Sequence, residues 1–194
     1  MLSALVAERG ARASDAIPVA SWPFCLVYLH TQRCACGGAW HARTHVLHGR
    51  LESHQATCEG CGTEREFWFD LSLVVNDPKG YSRFEDLREL FTEGVSHIDR
   101  GDALRSIPLL EEVAAREPWF GLAWLHLGVA QMLEEEHAQA RSSLERAVGL
   151  LPMDPAARNG LADCYLALGL NHRAAREFEI ADKLTEGAGG RGSP

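Results

Sequence analysis

GLAWLHLGVAQMLEEEHAQARSSLERAVGLLPMD, residues 121–154, reads as two helices packed antiparallel. Gly128 and Ala140 are small, so the helices can cross closely, while Trp124, Leu127, Leu144 and Ala147 supply the apolar stripe between them. Pro152 stops the second helix, because proline has no N–H with which to continue the ladder.

The pattern resembles the tetratricopeptide repeat, a 34-residue helix-turn-helix marked by Trp-x2-Leu-Gly, a later Ala-x3-Phe and a closing Pro. Here Leu144 stands for the Phe, and Gln131 for the expected Tyr. One period forward lie Leu161, Tyr165, Ala174, Phe178 and Ala181, with Arg158 in place of the Trp and Ala162 in place of the Gly. One period back lie Gly94, Leu110, Val113 and Pro118, with Leu90, Glu93 and Ser106 as departures. The resemblance therefore implies a mainly α fold, a three-repeat helical solenoid of six helices over residues 85–186, turned at Gly101-Asp102 and Gly169-Leu170-Asn171. Asp182 and Lys183 provide a polar end to the stack.

Ahead of the repeats stand two close cysteine pairs, CACGG at residues 34–38 and CEGCG at residues 58–62. Two such pairs separated by a hairpin's length resemble a four-cysteine zinc ribbon, with a less common Cys-x-Cys first knuckle. Cys34, Cys36, Cys58 and Cys61 are its expected ligands for one structural zinc ion, and Gly37, Gly38 and Gly62 permit the turns that carry them. A thioredoxin-like redox pair fits less well, because no βαβ pattern surrounds Cys58. Cys25 and Cys164 are expected to be buried small apolar residues, not ligands.

The remaining segments are read from composition. Residues 1–21 predict a mobile arm, 22–75 a small antiparallel-β zinc-ribbon domain, 76–84 a linker, and 187–194 a flexible Gly-rich tail. Within the ribbon, the apolar run Phe24 to Leu29 predicts a strand. Glu64 to Leu71 predicts a final strand whose Phe67, Phe69 and Leu71 close the core, leaving Trp68 on the other face to meet the repeats. His41, His45, His48 and His54 are expected to face solvent, without an assigned role.

Charge and motif content narrow the function. The net charge is −8, and residues 85–186 carry nineteen acids against ten bases, whereas residues 1–84 are balanced. Neither half offers the basic excess that nucleic-acid binding needs at physiological salt. No catalytic triad, phosphate loop or dinucleotide fingerprint stands in context, and a zinc with four thiolates has no open position for substrate. No apolar run reaches membrane-spanning length and no convincing leader opens the chain, which predicts a cytoplasmic protein.

The expected function is a non-catalytic protein-interaction adaptor, with a nucleic-acid- or polymerase-associated factor acting through the ribbon as the alternative. The repeat resemblance implies a concave groove lined by the first helix of each repeat. Its positions fall on Phe91, Val95, Ile98, Leu122, Leu125, Val129, Met132 and Asn159, followed by Asp163 and Leu166. So apolar a face suits an apolar peptide or an amphipathic helix, unless the chain covers it itself, with the arm around Ile17, Val19 and Trp22 or with Trp68 of the ribbon. The carboxylate clamp that grips the acidic C-terminus of heat-shock chaperones uses Lys, Asn and Arg. At the matching places this chain has Phe91, Val95, His126, Ala156 and Gly160, which argues against that partner.

Overall fold

Six helices follow one another at the expected period: α2 (Gly80–Asp99), α3 (Ala103–Arg116), α4 (Gly121–Leu133), α5 (His137–Leu150), α6 (Pro155–Ala167) and α7 (Asn171–Gly189). The computed structural model describes residues 10–74 and 80–189, with side chains for 10–74 and 85–186. The expectations for residues 1–9, 75–79 and 190–194 lie outside the described residues. Helix α2 begins inside the segment read as linker, and α7 runs into the segment read as tail.

The small residues sit where the helices cross. A Cβ on Gly128 would stand 2.5 Å from Leu144 Cγ, and one on Gly94 would stand 2.9 Å from Leu110 Cγ. Ala140, Leu144, Ala147, Leu161, Ala162 and Ala174 are buried in one core shared by the second and third repeats. The third repeat accommodates its Arg158 by burying it as a cation. Its guanidinium pairs with Glu177 at 2.6 Å and donates to the Pro152 carbonyl at 3.1 and 3.3 Å. Asp154 caps α6, accepting from the backbone N–H of Ala156 at 2.8 Å, with Pro155 in the first turn. Helix α2 touches α4 and α4 touches α6, so the first helices of the repeats line one common face.

The N-terminal part departs from its expected form in three ways. The run read as a strand is a helix, α1 (Phe24–Thr31), entered through Pro23. A short apolar run does not distinguish the two by itself, but the buried residues Phe24, Cys25, Tyr28 and Leu29 recur at helical spacing. The sheet is mixed, not purely antiparallel. Strands β2 (Trp40–His48), β3 (Leu51–Cys58) and β4 (Glu64–Asp70) form an antiparallel meander, and β1 (Ile17–Pro18) adds to β4 in parallel, Ile17 opposite Phe69. The segment read as a mobile arm thus supplies β1 and buries Ile17 and Val19 in the core.

Trp68 is half-buried on the sheet. Its ring lies 4.9 Å from that of His48, on the sheet face opposite Phe67 and Phe69. The junction with the repeats is made by α1 and β1. One buried cluster runs from Ile17, Phe24 and Phe69 through Leu87, Val113, Phe120 and Ala123, crossing from the sheet into the first two repeats. No helix among the described residues is long and apolar enough to cross a membrane.

Candidate functional site

The two cysteine knuckles close on each other at the end of the β2–β3 ribbon. The sulfurs of Cys34, Cys36, Cys58 and Cys61 all lie within 4.8 Å of one another, with Cys34 to Cys61 at 3.7 Å and Cys36 to Cys58 at 3.4 Å. A zinc ion with Zn–S bonds of about 2.3 Å requires sulfurs about 3.8 Å apart in a tetrahedron. The four residues fit that ion. Each knuckle points a backbone N–H at a sulfur, Gly38 to Cys36 and Gly60 to Cys58, both at 3.4 Å. A Cβ on Gly38 would stand 2.7 Å from Cys58 Sγ and 2.9 Å from Gly60 N, so no other residue fits between the knuckles.

The four thiols are not equivalent. Burial pushes Cys34 up to about 12, whereas the hydrogen bond from the Thr63 hydroxyl and then its backbone pull the exposed Cys61 down to about 6. Glu59 fastens the second knuckle to the start of β2. Its carboxylate accepts from Ala39 N–H at 3.2 Å and meets His41 Nε2 at 2.9 Å.

The expected groove residues fall on α2, α4 and α6, but not in one environment. Phe91 stacks with Phe120 at 4.9 Å and with His126 at 5.6 Å, and together with Leu122 it packs against the cluster that holds α1. Leu125 is only 7% exposed and belongs to the core between the second and third repeats. Val95, Ile98, Val129 and Met132 are half-buried, Asn159 and Asp163 are exposed, and Leu166 is 48% exposed. Phe91 and Leu122 thus pack against the cluster that the sheet module shares with the repeats, Val129 and Met132 against the core of the second and third repeats, and Val95 and Ile98 belong to neither cluster. Trp22, considered as a cover, is exposed.

Two polar features were not anticipated. Glu117, between α3 and α4, is 1% exposed and accepts from Ala20 N–H at 3.2 Å, while Gln32 reaches the Leu150 carbonyl at 3.1 Å. Burial pushes the Glu117 carboxyl up to about 7, against the lowering effect of its hydrogen bonds to Ala20 and Ser21. The second feature is on β3. His54, expected at the surface, is 4% exposed, and with Glu52 it faces the core beside Cys25, which lies on a helix and not a strand. His41, His45 and His48 are exposed as expected.

The model of the tetratricopeptide repeat family matches residues 91–150 and 134–189, together about half of the chain. The chain belongs to the tetratricopeptide repeat family. Among solved structures this repeat protein is similar to MamA AMB-1, with 26% identity and a TM-score of 0.50 over 53% of this chain and 60% of that one. It is also similar to the CopN–Scc3 complex, with 20% identity and a TM-score of 0.51 over 64% and 72% of the two chains. The first tetratricopeptide domain of Spaghetti (RPAP3), bound to the HSP90 peptide SRMEEVD, matches at 18% identity and a TM-score of 0.50 over 52% and 79%. The chain spans 56 to 60% of the length of three of the MamA structures it matches, less than two thirds.

Proposed function

We propose that this repeat protein is a non-catalytic, cytoplasmic interaction adaptor that takes an apolar segment or amphipathic helix of another protein on its concave face. The observation that carries the reading is the half-buried row of Val95 and Ile98 on α2 and Val129 and Met132 on α4, continued by the exposed Leu166 on α6. Full burial of an exposed apolar side chain contributes roughly 1.5 to 3 kcal/mol, of which these half-buried ones have part still to gain, and recurrence on adjacent helices matches the spacing of anchors along one face of a helical ligand. An acidic chaperone tail, the kind of ligand bound to the RPAP3 domain, does not suit the apolar Phe91 and Val95 or the neutral Ala156 and Gly160.

In this reading Cys34, Cys36, Cys58 and Cys61 hold one structural zinc, which fixes the sheet and the α1 packed with it. Support comes from the sulfur spacing and from the N–H groups aimed at Cys36 and Cys58.

The experiment is affinity capture from native extract with the intact protein and with a Val95→Asp, Val129→Asp double variant. These positions are chosen over Leu125 because a charge at a buried position would test folding, not binding. The double variant is expected to keep its helical circular dichroism and lose the captured protein. Capture of the same protein at wild-type strength would remove the concave face as the binding surface, and recovery of nucleic acid in place of protein would favour the ribbon as the binding module.

A further inference from the structure

Strand β3 alternates with a period of two, so Glu52, His54, Ala56 and Cys58 all face the core. Two of these are polar in a place where an apolar residue would serve packing, and Cys25 of α1 meets them there. The ligand atoms of Cys25, Glu52 and His54 lie within 4.8 Å of one another, and all three residues are buried. Cys25 Sγ is 4.0 Å from Glu52 Oε2, and His54 Nε2 is 3.2 Å from Glu52 Oε1. That His54 nitrogen lacks hydrogen-bond geometry to any partner among the described residues, although the residue is 4% exposed. Phe69 closes one side of the ring at 5.4 Å and stands opposite Glu52 in register.

We propose that Cys25, Glu52 and His54 are a second metal site, which takes one zinc ion separate from that of the four cysteines. A carboxylate at 0% exposure beside an aromatic ring is costly without a compensating cation, and a buried imidazole nitrogen without a partner adds to that cost. A divalent ion among the three atoms answers both. Zinc ligands at 2.0 to 2.3 Å from the ion stand roughly 3.3 to 3.8 Å apart, so the 3.2 Å between His54 and Glu52 is already near that spacing, while Cys25, 4.0 Å from Glu52 and within 4.8 Å of His54, has to move in by up to about 1 Å. Thiolate, imidazole and carboxylate together form a zinc donor set. On binding, the Cys25 thiol proton leaves to solvent and its sulfur lone pair forms the metal bond. His45, on the exposed edge strand, holds Glu52 Oε1 through Nδ1 at 2.6 Å, orienting the carboxylate from the solvent side. His54 and Cys58 are four residues apart on one strand, roughly 13 Å, too far to share an ion.

The test is metal stoichiometry on the full chain, stripped with chelator and reloaded with zinc or cobalt(II). Wild type is expected to bind two equivalents, and Cys58→Ser and Glu52→Gln one each. Cobalt in Cys58→Ser should give a thiolate-to-cobalt charge-transfer band that disappears when Cys25→Ser is added. Glu52→Gln is nearly isosteric and keeps the test open should the Cys25 variant unfold. A wild type that binds one equivalent, lost in Cys58→Ser and unchanged in Glu52→Gln, overturns the second site. One equivalent lost in Glu52→Gln but retained in Cys58→Ser would sustain it and overturn the four-cysteine site instead.

Discussion

Phe24 of α1 meets Phe120 of the α3–α4 connection edge to face, with ring centroids 5.2 Å apart and planes at 88°. Both rings are buried, and the ring of Phe91 on α2 lies 4.9 Å from that of Phe120, tilted by 54°. This contact makes the sheet module and the first repeats one packed unit. Phe24→Ala is expected to cost about 3 to 5 kcal/mol, because the cavity opens at a junction already held by rigid elements. Chemical denaturation would read the loss. A change below about 0.5 kcal/mol would mean that the two parts fold without reference to each other.

Glu117 gives the junction a pH dependence. Its carboxyl is pushed up to about 7 by burial, from an ordinary value of 4.5, so the folded protein holds the proton where the unfolded chain has released it. The contribution of the neutral form is full below about pH 4.5 and is lost progressively as pH rises to about 7. The span is about 3 kcal/mol at 1.36 kcal/mol per unit. Glu117→Gln keeps an acceptor for Ala20 N–H and removes the ionisation. It should flatten the fall in stability over that window and gain on the wild type at pH 8. Parallel stability curves for the two proteins from pH 4.5 to 8 would refute the assignment.

Gly128 and Leu144 set the crossing of α4 and α5. Since an added Cβ would stand 2.5 Å from Leu144 Cγ, Gly128→Ala must displace the leucine or part the helices. Overpacking of this kind costs about 1 to 3 kcal/mol, against the gain that alanine normally brings to a helix interior. A thermal midpoint at or above the wild-type value would show that the crossing has slack.

The repeats were legible because their signal is periodic and redundant: Gly94, Gly128 and Ala162 fall in phase whether or not any single repeat is a good copy. The convergence of the knuckle cysteines was legible because two close pairs stand a hairpin's length apart, and the β2–β3 pairing brings them to one end. Two kinds of information were not. The run from Phe24 to Leu29 is as short as a strand and as apolar as a buried helix, so only its neighbours decide between them. The fate of Glu52 and His54 was hidden by residue type, since acids and histidines in strands usually face water. Counting back by twos from Ala56 and Cys58 would have placed both on the core face. The contact of Phe24 on α1 with Phe120 at the start of α4 is tertiary information that no local pattern carries.

The zinc proposed for Cys34, Cys36, Cys58 and Cys61 should matter to the sheet before it matters to the helices. The core of Leu144, Ala147, Leu161, Cys164, Tyr165 and Ala174 between the second and third repeats contains no residue of the sheet module. The cluster around Phe24, Phe69 and Phe120 is shared with that module and includes Cys34 and Cys58 themselves. Cys58→Ser should therefore remove the four-cysteine metal, loosen the sheet and α1, and unsettle the first repeat through Leu87 and Val113, leaving α5 to α7 folded, because solenoid repeats depend on their neighbours alone. Native-state hydrogen exchange reads this directly. Amides of β3, β4 and α1 should lose protection in the variant, those of α2 and α3 in part, and those of α6 and α7 hardly at all. Uniform loss of protection through α7 would mean that the chain unfolds as one cooperative unit. Unchanged protection in β3 would mean that the sheet stands without its metal, and the structural role given to the four cysteines would fall.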